Sequence, residues 1–106
     1  MEFEKFNEIR ELFCMKYADV TEGKMMSSEA IHYKNKVFAF FSRKKKMVFK
    51  LGKGYPIETA HVPLTEFSPF KTKKPLAGWY EVDFEHHDQW ETLTQLALDL
   101  IQNKQA

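Results

Sequence analysis

Cations are the residues of this sequence that are best suited to chemistry, and eleven of the sixteen lie within residues 34–74. Four are consecutive and stand directly against an apolar stretch, and five more follow within thirty residues. Such clusters attract phosphates, and aromatic side chains beside them stack on bases. The candidate nucleic-acid-binding set is Arg43, Lys44, Lys45, Lys46, Lys50, Lys53, Lys71, Lys73 and Lys74.

A solvated hairpin turn is the alternative interpretation of this set. Runs of charge are commonly solvated, and lysines at hairpin tips and sheet edges protect a sheet from aggregation. The set has eight lysines and one arginine, whereas bidentate reading of phosphates and bases favours arginine. A nucleic-acid interface therefore requires that these cations meet on one face of the folded chain.

His86, His87 and Asp88 form the best candidate for a metal site. Two adjacent histidines rarely point at one ion, because helical ligand pairs are spaced i and i+4. No cysteine or acidic cluster elsewhere completes a coordination shell. We therefore expect a solvated helix start here, and no bound metal.

Cys14 is the one cysteine, and a cysteine beside a histidine is a candidate nucleophile. Its place on the flank of an amphipathic helix is more typical of a half-buried thiol. The Gly52-Lys53-Gly54 run lacks the spacing of a phosphate-binding loop. The sequence thus predicts a protein that is not an enzyme and has no cofactor.

Charge is distributed unevenly along the 106 residues, although the net charge is only +1. Residues 1–33 carry seven acidic and four basic groups, residues 34–74 carry two and eleven, and residues 75–106 carry six and one. A basic middle of +9 between acidic ends of −3 and −5 attracts an anionic partner even at a total near zero.

Hydrophobic periodicity predicts a helix over residues 2–17, and "DVTEGK" then predicts a break with Gly23 as the turn residue. Three strands follow within residues 26–33, 36–42 and 46–52, rich in aromatic and branched residues. We expect a short helix opened by Pro56.

A strand over "GWYEVDF" (78–84) and a helix over 88–103, capped by Asp88 and Glu91, complete the chain. The segment "SPFKTKKP" before them is predicted to be a loop or an edge strand. The predicted fold is one α+β domain over residues 1–106, an antiparallel sheet packed by terminal helices in the order α-β-β-β-α-β-β-α. Its core is predicted to contain Phe6, Ile9, Phe13, Phe49, Leu51, Tyr80, Val82, Trp90, Leu93 and Ala97.

The middle strand is apolar on both faces. Strict alternation places Val37, Ala39 and Phe41 on one face, and Phe38 and Phe40 on the other. We expect Trp79 to join Phe38 and Phe40 in an aromatic patch. A protein-interaction adaptor that uses this patch is the alternative to an anion-binding module.

The compartment predicted is the cytoplasm. A single cysteine excludes an intrachain disulfide, and the acidic amphipathic N-terminus does not fit a secretory signal. No apolar run approaches the roughly 18–20 residues that a membrane span needs. A membrane partner is therefore not expected.

Five short motifs follow one another between about residues 20 and 101. They are Lys24-Met25-Met26-Ser27, Lys36-Val37-Phe38, Phe49-Lys50, Pro69-Phe70 and Gly78-Trp79-Tyr80. This ordered set, which is more specific than any one motif, resembles the small bacterial YjbR-like and TfoX N-terminal-like domains. The resemblance implies a compact α+β domain similar to secretion chaperones, without catalysis, and a link to DNA binding or regulation.

Together these observations predict a non-catalytic binding module. Its partner is expected to be nucleic acid or another anion, and in the alternative interpretation a protein.

Overall fold

The structure, a computed structural model, describes residues 1–56, 62–68 and 75–105, of which residues 104 and 105 by their backbone alone. The chain begins with helix α1. Four strands, a short strand and a longer strand follow, and a 3₁₀ segment over Phe84–Gln89 leads into helix α2. The elements are α1 (Glu2–Lys16), β1 (Val20–Met25), β2 (Ser28–Tyr33), β3 (Lys36–Phe41), β4 (Met47–Lys50), β5 (Thr65–Glu66), β6 (Trp79–Val82) and α2 (Trp90–Gln105).

In the described ranges, the six strands form one sheet in the order β1-β2-β3-β4-β6-β5. Every pair of neighbours is antiparallel. The side chains of α1 and α2 join the hydrophobic cluster on one face of this sheet, while the cluster on the other face contains no helical residue. The predicted α+β class, with terminal helices on an antiparallel sheet, is confirmed.

The helix-side face of the sheet carries the main core. All ten predicted core residues are buried there, and Leu93, the most exposed of them, has 7% of its surface accessible. In β4, Met47, Phe49 and Leu51 point toward the helices, as their alternation predicts. The 3.6-residue and two-residue periods therefore identified ten of the twenty residues that are buried in this cluster within the described ranges.

Helix α1 ends before "DVTEGK", as predicted, but the predicted turn at Gly23 is wrong, because residues 20–25 form strand β1. Gly23 lies inside this strand, opposite Ala30. A Cβ atom at position 23 would come within 2.2 Å of His32 Nε2 on the neighbouring strand. The glycine thus makes room for an imidazole ring, and the turn falls at Met26 and Ser27, where Met26 has a φ of 58°.

We expect Gly23→Ala to lower the free energy of unfolding by about 1 kcal/mol, because the added methyl group displaces the His32 ring. In a His32→Ala background the same change should instead stabilise by about 0.5–1 kcal/mol, since alanine loses less chain entropy than glycine. Urea denaturation of the four proteins gives this coupling as a double-mutant cycle. Additive effects would contradict the contact.

Strand β3 departs from the predicted alternation at Phe38. Val37 faces His32 and Ala39 faces Ile31, so Phe38 is an extra residue without an opposite partner. Such a bulge shifts the side-chain alternation by one position. Phe38 therefore packs beside Ala39 in the helix-side core.

Two further predictions concern helix positions. Helix α2 begins at Trp90, and Asp88 lies within the preceding 3₁₀ segment. The predicted cap formed by Asp88 and Glu91 is therefore wrong. Most of the predicted helix after Pro56 lies outside the described residues.

Candidate anion-binding site

The hairpin between β3 and β4 presents three consecutive cations to solvent. Ser42 N donates to Lys46 O at 2.8 Å, and Lys45 N donates to Ser42 O at 3.0 Å. Lys45 closes the turn with a φ of 63°. Ser42 itself is buried, and its Oγ accepts from Lys46 N at 3.3 Å. This closed turn holds the backbone beneath the side chains of Arg43, Lys44 and Lys45, all three exposed.

The four cations of the hairpin differ in their partners. Lys46 Nζ lies 3.8 Å from the carboxylate of Glu81 on β6. Arg43 Nη2 donates to Ser27 Oγ at 3.2 Å, which leaves the other guanidinium donors unused among the described residues. In these same ranges no carboxylate lies within ion-pair distance of residues 43 to 45. Three of the four charges thus remain available to an anion.

Lys50 and Lys53 do not join this hairpin. They lie at and beyond the other end of β4, and its four residues span about 13 Å at roughly 3.3 Å per residue. The Lys50 ammonium lies 5.8 Å from the centre of the Trp79 ring, and Lys53 is exposed in the loop that follows. The cations described therefore fall into two groups at opposite ends of β4, and the convergence of all nine on one face stays a prediction.

The remaining three cations of the candidate set, Lys71, Lys73 and Lys74, lie outside the described residues.

The predicted aromatic patch does not form. Phe38 faces the helices, whereas Phe40 and Trp79 face the other side of the sheet. Phe40 is only 1% exposed, because the rings of Phe67 and Trp79 cover it at centroid distances of 5.1 and 5.5 Å. Trp79 alone of the predicted set keeps partial exposure. An adaptor built on these three aromatic rings is therefore not supported by their positions.

A pocket of about 260 Å³ opens beside the hairpin, on the face of the sheet away from the helices. Its walls come from the β1–β2 turn, the β3–β4 hairpin, the end of β5 and strand β6. Sequence reasoning missed Ser27 and Phe67 as parts of a site. No local pattern marks them, because the residues of this pocket come together only through strand pairing.

Arg10 on α1, a cation outside the candidate set, is buried and stabilises the fold. Its guanidinium donates to Glu29 Oε1 at 3.1 Å and to Asn7 Oδ1 at 3.1 Å, and Glu22 lies at 3.7 Å. Lys24 also binds Glu29, and its ammonium, followed by the Arg10 guanidinium, lowers the pKa of that carboxyl below its usual value. These contacts join α1 to the β1–β2 hairpin.

The candidate metal site at His86, His87 and Asp88 and the candidate nucleophile Cys14 lie in environments that are typical of structural residues. The His87 ring stacks on Phe84 at 4.4 Å, and its Nδ1 lies 2.9 Å from Phe84 O. Within residues 1–56, 62–68 and 75–105, no group of three His, Cys, Asp or Glu side chains is placed to hold a metal ion. Burial, assisted by the Glu22 carboxylate, raises the pKa of the Cys14 thiol, and a raised pKa disfavours the nucleophilic thiolate.

No helix in the described part of the chain combines the length and apolar character required to span a membrane.

In the comparisons with known proteins, no family model, curated protein or solved structure matches this chain.

Proposed function

We propose that this protein is a non-catalytic binding module of the cytoplasm, and that its β3–β4 hairpin contacts the phosphate backbone of nucleic acid. The observation that carries the proposal is that, among the residues the structure describes, no carboxylate lies within ion-pair distance of Arg43, Lys44 or Lys45 at the closed turn. The motifs that resemble YjbR-like and TfoX N-terminal-like domains support the same proposal.

The position of these cations favours a polyanion over a single carboxylate partner. The tip of a hairpin projects from the sheet, so its side chains reach a partner without a cleft. Each phosphate that a cation neutralises adds about 0.7–0.9 to the slope of log affinity against log salt concentration. Three hairpin cations therefore predict a slope of about 2 to 3 for weak binding with little preference for sequence.

The test is titration of labelled single- and double-stranded DNA at several salt concentrations. The double variant Lys44→Gln/Lys45→Gln should weaken binding and lower the salt slope by about 1.5, because two phosphate contacts are lost.

A matched control is Lys34→Gln/Lys36→Gln. These exposed lysines flank the β2–β3 turn at the opposite end of the sheet, and their replacement removes the same two charges. The control should leave the salt slope within about 0.5 of the wild-type value. Equal losses in both variants, or no binding at low salt, would refute the proposed role of the hairpin.

A further inference from the structure

Strand β1 lies at one end of the sheet in the described ranges, so one of its backbone edges faces away from β2. Lys34 N donates to Asp19 O at 3.0 Å, which makes these two residues a hydrogen-bonded pair at the end of the β1–β2 ladder. Such pairs occur at every second position of an antiparallel ladder. The backbone N–H and C=O groups of Glu22 and Lys24 therefore point outward, away from β2.

The outward edge of β1 is open to another strand. In residues 1–56, 62–68 and 75–105, no backbone group bonds to the N–H or C=O of Glu22 or Lys24 on this side. Lys24 O lies 3.3 Å from His32 Nε2, but a carbonyl oxygen has two lone pairs and accepts a second hydrogen bond. The side chains of Glu22 and Lys24 are 62% and 64% exposed. An open strand edge of this kind is a template for pairing with another chain.

The charges along β1 select a second copy of the same strand as its partner. Glu22 and Lys24 lie on the same face as the buried Val20, because side chains two residues apart share one face of a strand. When two β1 strands pair antiparallel, a twofold axis at Gly23 places Glu22 opposite Lys24 of the second copy, and symmetry repeats this pair. Opposite charges in such cross-strand pairs are stabilising.

Other registers of the two strands lack this match. An axis at Glu22 or at Lys24 places a residue opposite its own copy, so like charges meet, which is destabilising. An axis midway between Glu22 and Gly23 would pair all of β1, but it sets outward-pointing groups against groups already bonded to β2. The axis at Gly23 avoids both problems, and a glycine at this point lets the two backbones approach closely.

The contacts of these residues within one chain leave the match intact. Glu22 lies 3.7 Å from Arg10, and Lys24 binds Glu29. These four charges sum to zero, so pairing of two copies brings no net charge to the interface. A single lysine on an edge strand opposes strand pairing, whereas here Glu22 of the second copy balances the charge of Lys24.

We propose that two copies of this chain associate through β1, antiparallel about a twofold axis at Gly23, so that their sheets join edge to edge. Glu22 of each copy exchanges two main-chain hydrogen bonds with Lys24 of the other. One strand of six residues makes a small interface, and interfaces below about 1,200 Å² are typical of transient complexes. The association is therefore weak and reversible. It uses none of the hairpin cations proposed to contact nucleic acid.

Sedimentation velocity of the full chain from about 10 µM to about 1 mM tests the association, because a small interface dissociates in this range. We expect the sedimentation coefficient to rise from that of a monomer toward that of a dimer. Hydrogen exchange followed by NMR locates the interface. The amides of Glu22 and Lys24 gain a partner only in the dimer, so their exchange should slow at least about fivefold across this range. The amides of Thr21 and Met25, already bonded to β2, should change less.

The variant Lys24→Glu should weaken self-association at least about tenfold, because both symmetric pairs become repulsive. Lys36→Glu is the matched control, since it makes the same charge change at an exposed lysine of β3. Self-association of this control should stay within about twofold of the wild-type value, because distant exposed charges are screened. The swap Glu22→Lys/Lys24→Glu places opposite charges across the axis again and should recover association. Urea denaturation of each variant checks that it is folded.

The variant Lys24→Pro tests the backbone contact independently of charge. Proline lacks the N–H that donates across the axis, and an edge strand tolerates proline where the N–H faces outward. It should abolish association up to about 1 mM, whereas Lys24→Gln, which removes the same charge and keeps the N–H, should weaken it less. The proposal is overturned by a chain that stays monomeric at about 1 mM, by a dimer that survives Lys24→Pro, or by equal effects of Lys24→Glu and Lys36→Glu.

Discussion

Replacing Trp90 by alanine should lower the free energy of unfolding by about 3–5 kcal/mol, the largest effect that we expect from a single core residue. Trp90 begins α2, and its side chain is fully buried in the helix-side core. Phe84 packs edge to face against it at 5.7 Å. Its loss would leave a cavity where the 3₁₀ segment joins the helix.

The matched variant is Trp90→Phe, which separates packing from polarity. Among the described residues, Trp90 Nε1 is buried and has no hydrogen-bond partner. Phenylalanine keeps a ring in the site and removes this unsatisfied donor, whose burial is unfavourable. We expect Trp90→Phe to lower the free energy of unfolding by less than half as much as Trp90→Ala. Urea denaturation followed by circular dichroism measures both, and equal losses would show that Trp90 does not act through ring packing.

The double variant Glu22→Gln/Glu29→Gln should destabilise the protein by about 1–3 kcal/mol, because it leaves the buried Arg10 guanidinium without an opposite charge, although these carboxylates are 62% and 31% exposed and so partly screened by solvent. The Arg10 side chain is 5% exposed, and these two carboxylates are its ion-pair partners. Arg10 Nε already has no hydrogen-bond partner in the described residues. Loss of its remaining charged partners would therefore leave the burial of the Arg10 guanidinium poorly compensated.

Adding Arg10→Met to this double variant should recover most of the lost stability. Methionine fills a similar space without charge, and replacement of a whole buried ion pair by apolar groups is commonly neutral or stabilising. The control Glu8→Gln/Glu91→Gln changes the net charge equally at two exposed positions. A loss in this control as large as in the Glu22 and Glu29 variant would show that net charge, not burial of Arg10, is responsible.

Local periodicity accounts for most of what could be predicted about the fold. The helix predicted over 2–17 is Glu2–Lys16, and that predicted over 88–103 is Trp90–Gln105. In a helix, side chains three or four residues apart share one face, and in a strand every second side chain does. Both patterns can therefore be recognised within one element. Strand β1 was missed because its pattern is weak, and its glycine is explained only by His32 on the next strand.

For the candidate site, in contrast to the fold, local patterns predicted little of the arrangement. The nine cations were found from composition, yet β4 separates the hairpin from Lys50 and Lys53. The partners that distinguish Lys46 from Arg43 are Glu81 and Ser27, which are far away along the chain. Charge along a chain predicts a charged surface only where pairing of the strands brings the charges to the same end.

The sequence by itself determined the α+β class, the two helices and half of the described residues of the main core, because each follows from repeats within one element. Tertiary structure alone decided that Phe38 turns toward the helices, that Phe40 is covered, and that a pocket opens beside Arg43. A single bulge reverses the faces of a strand, and a pocket needs walls from four separate segments. Both depend on the register between distant residues, which no local pattern specifies.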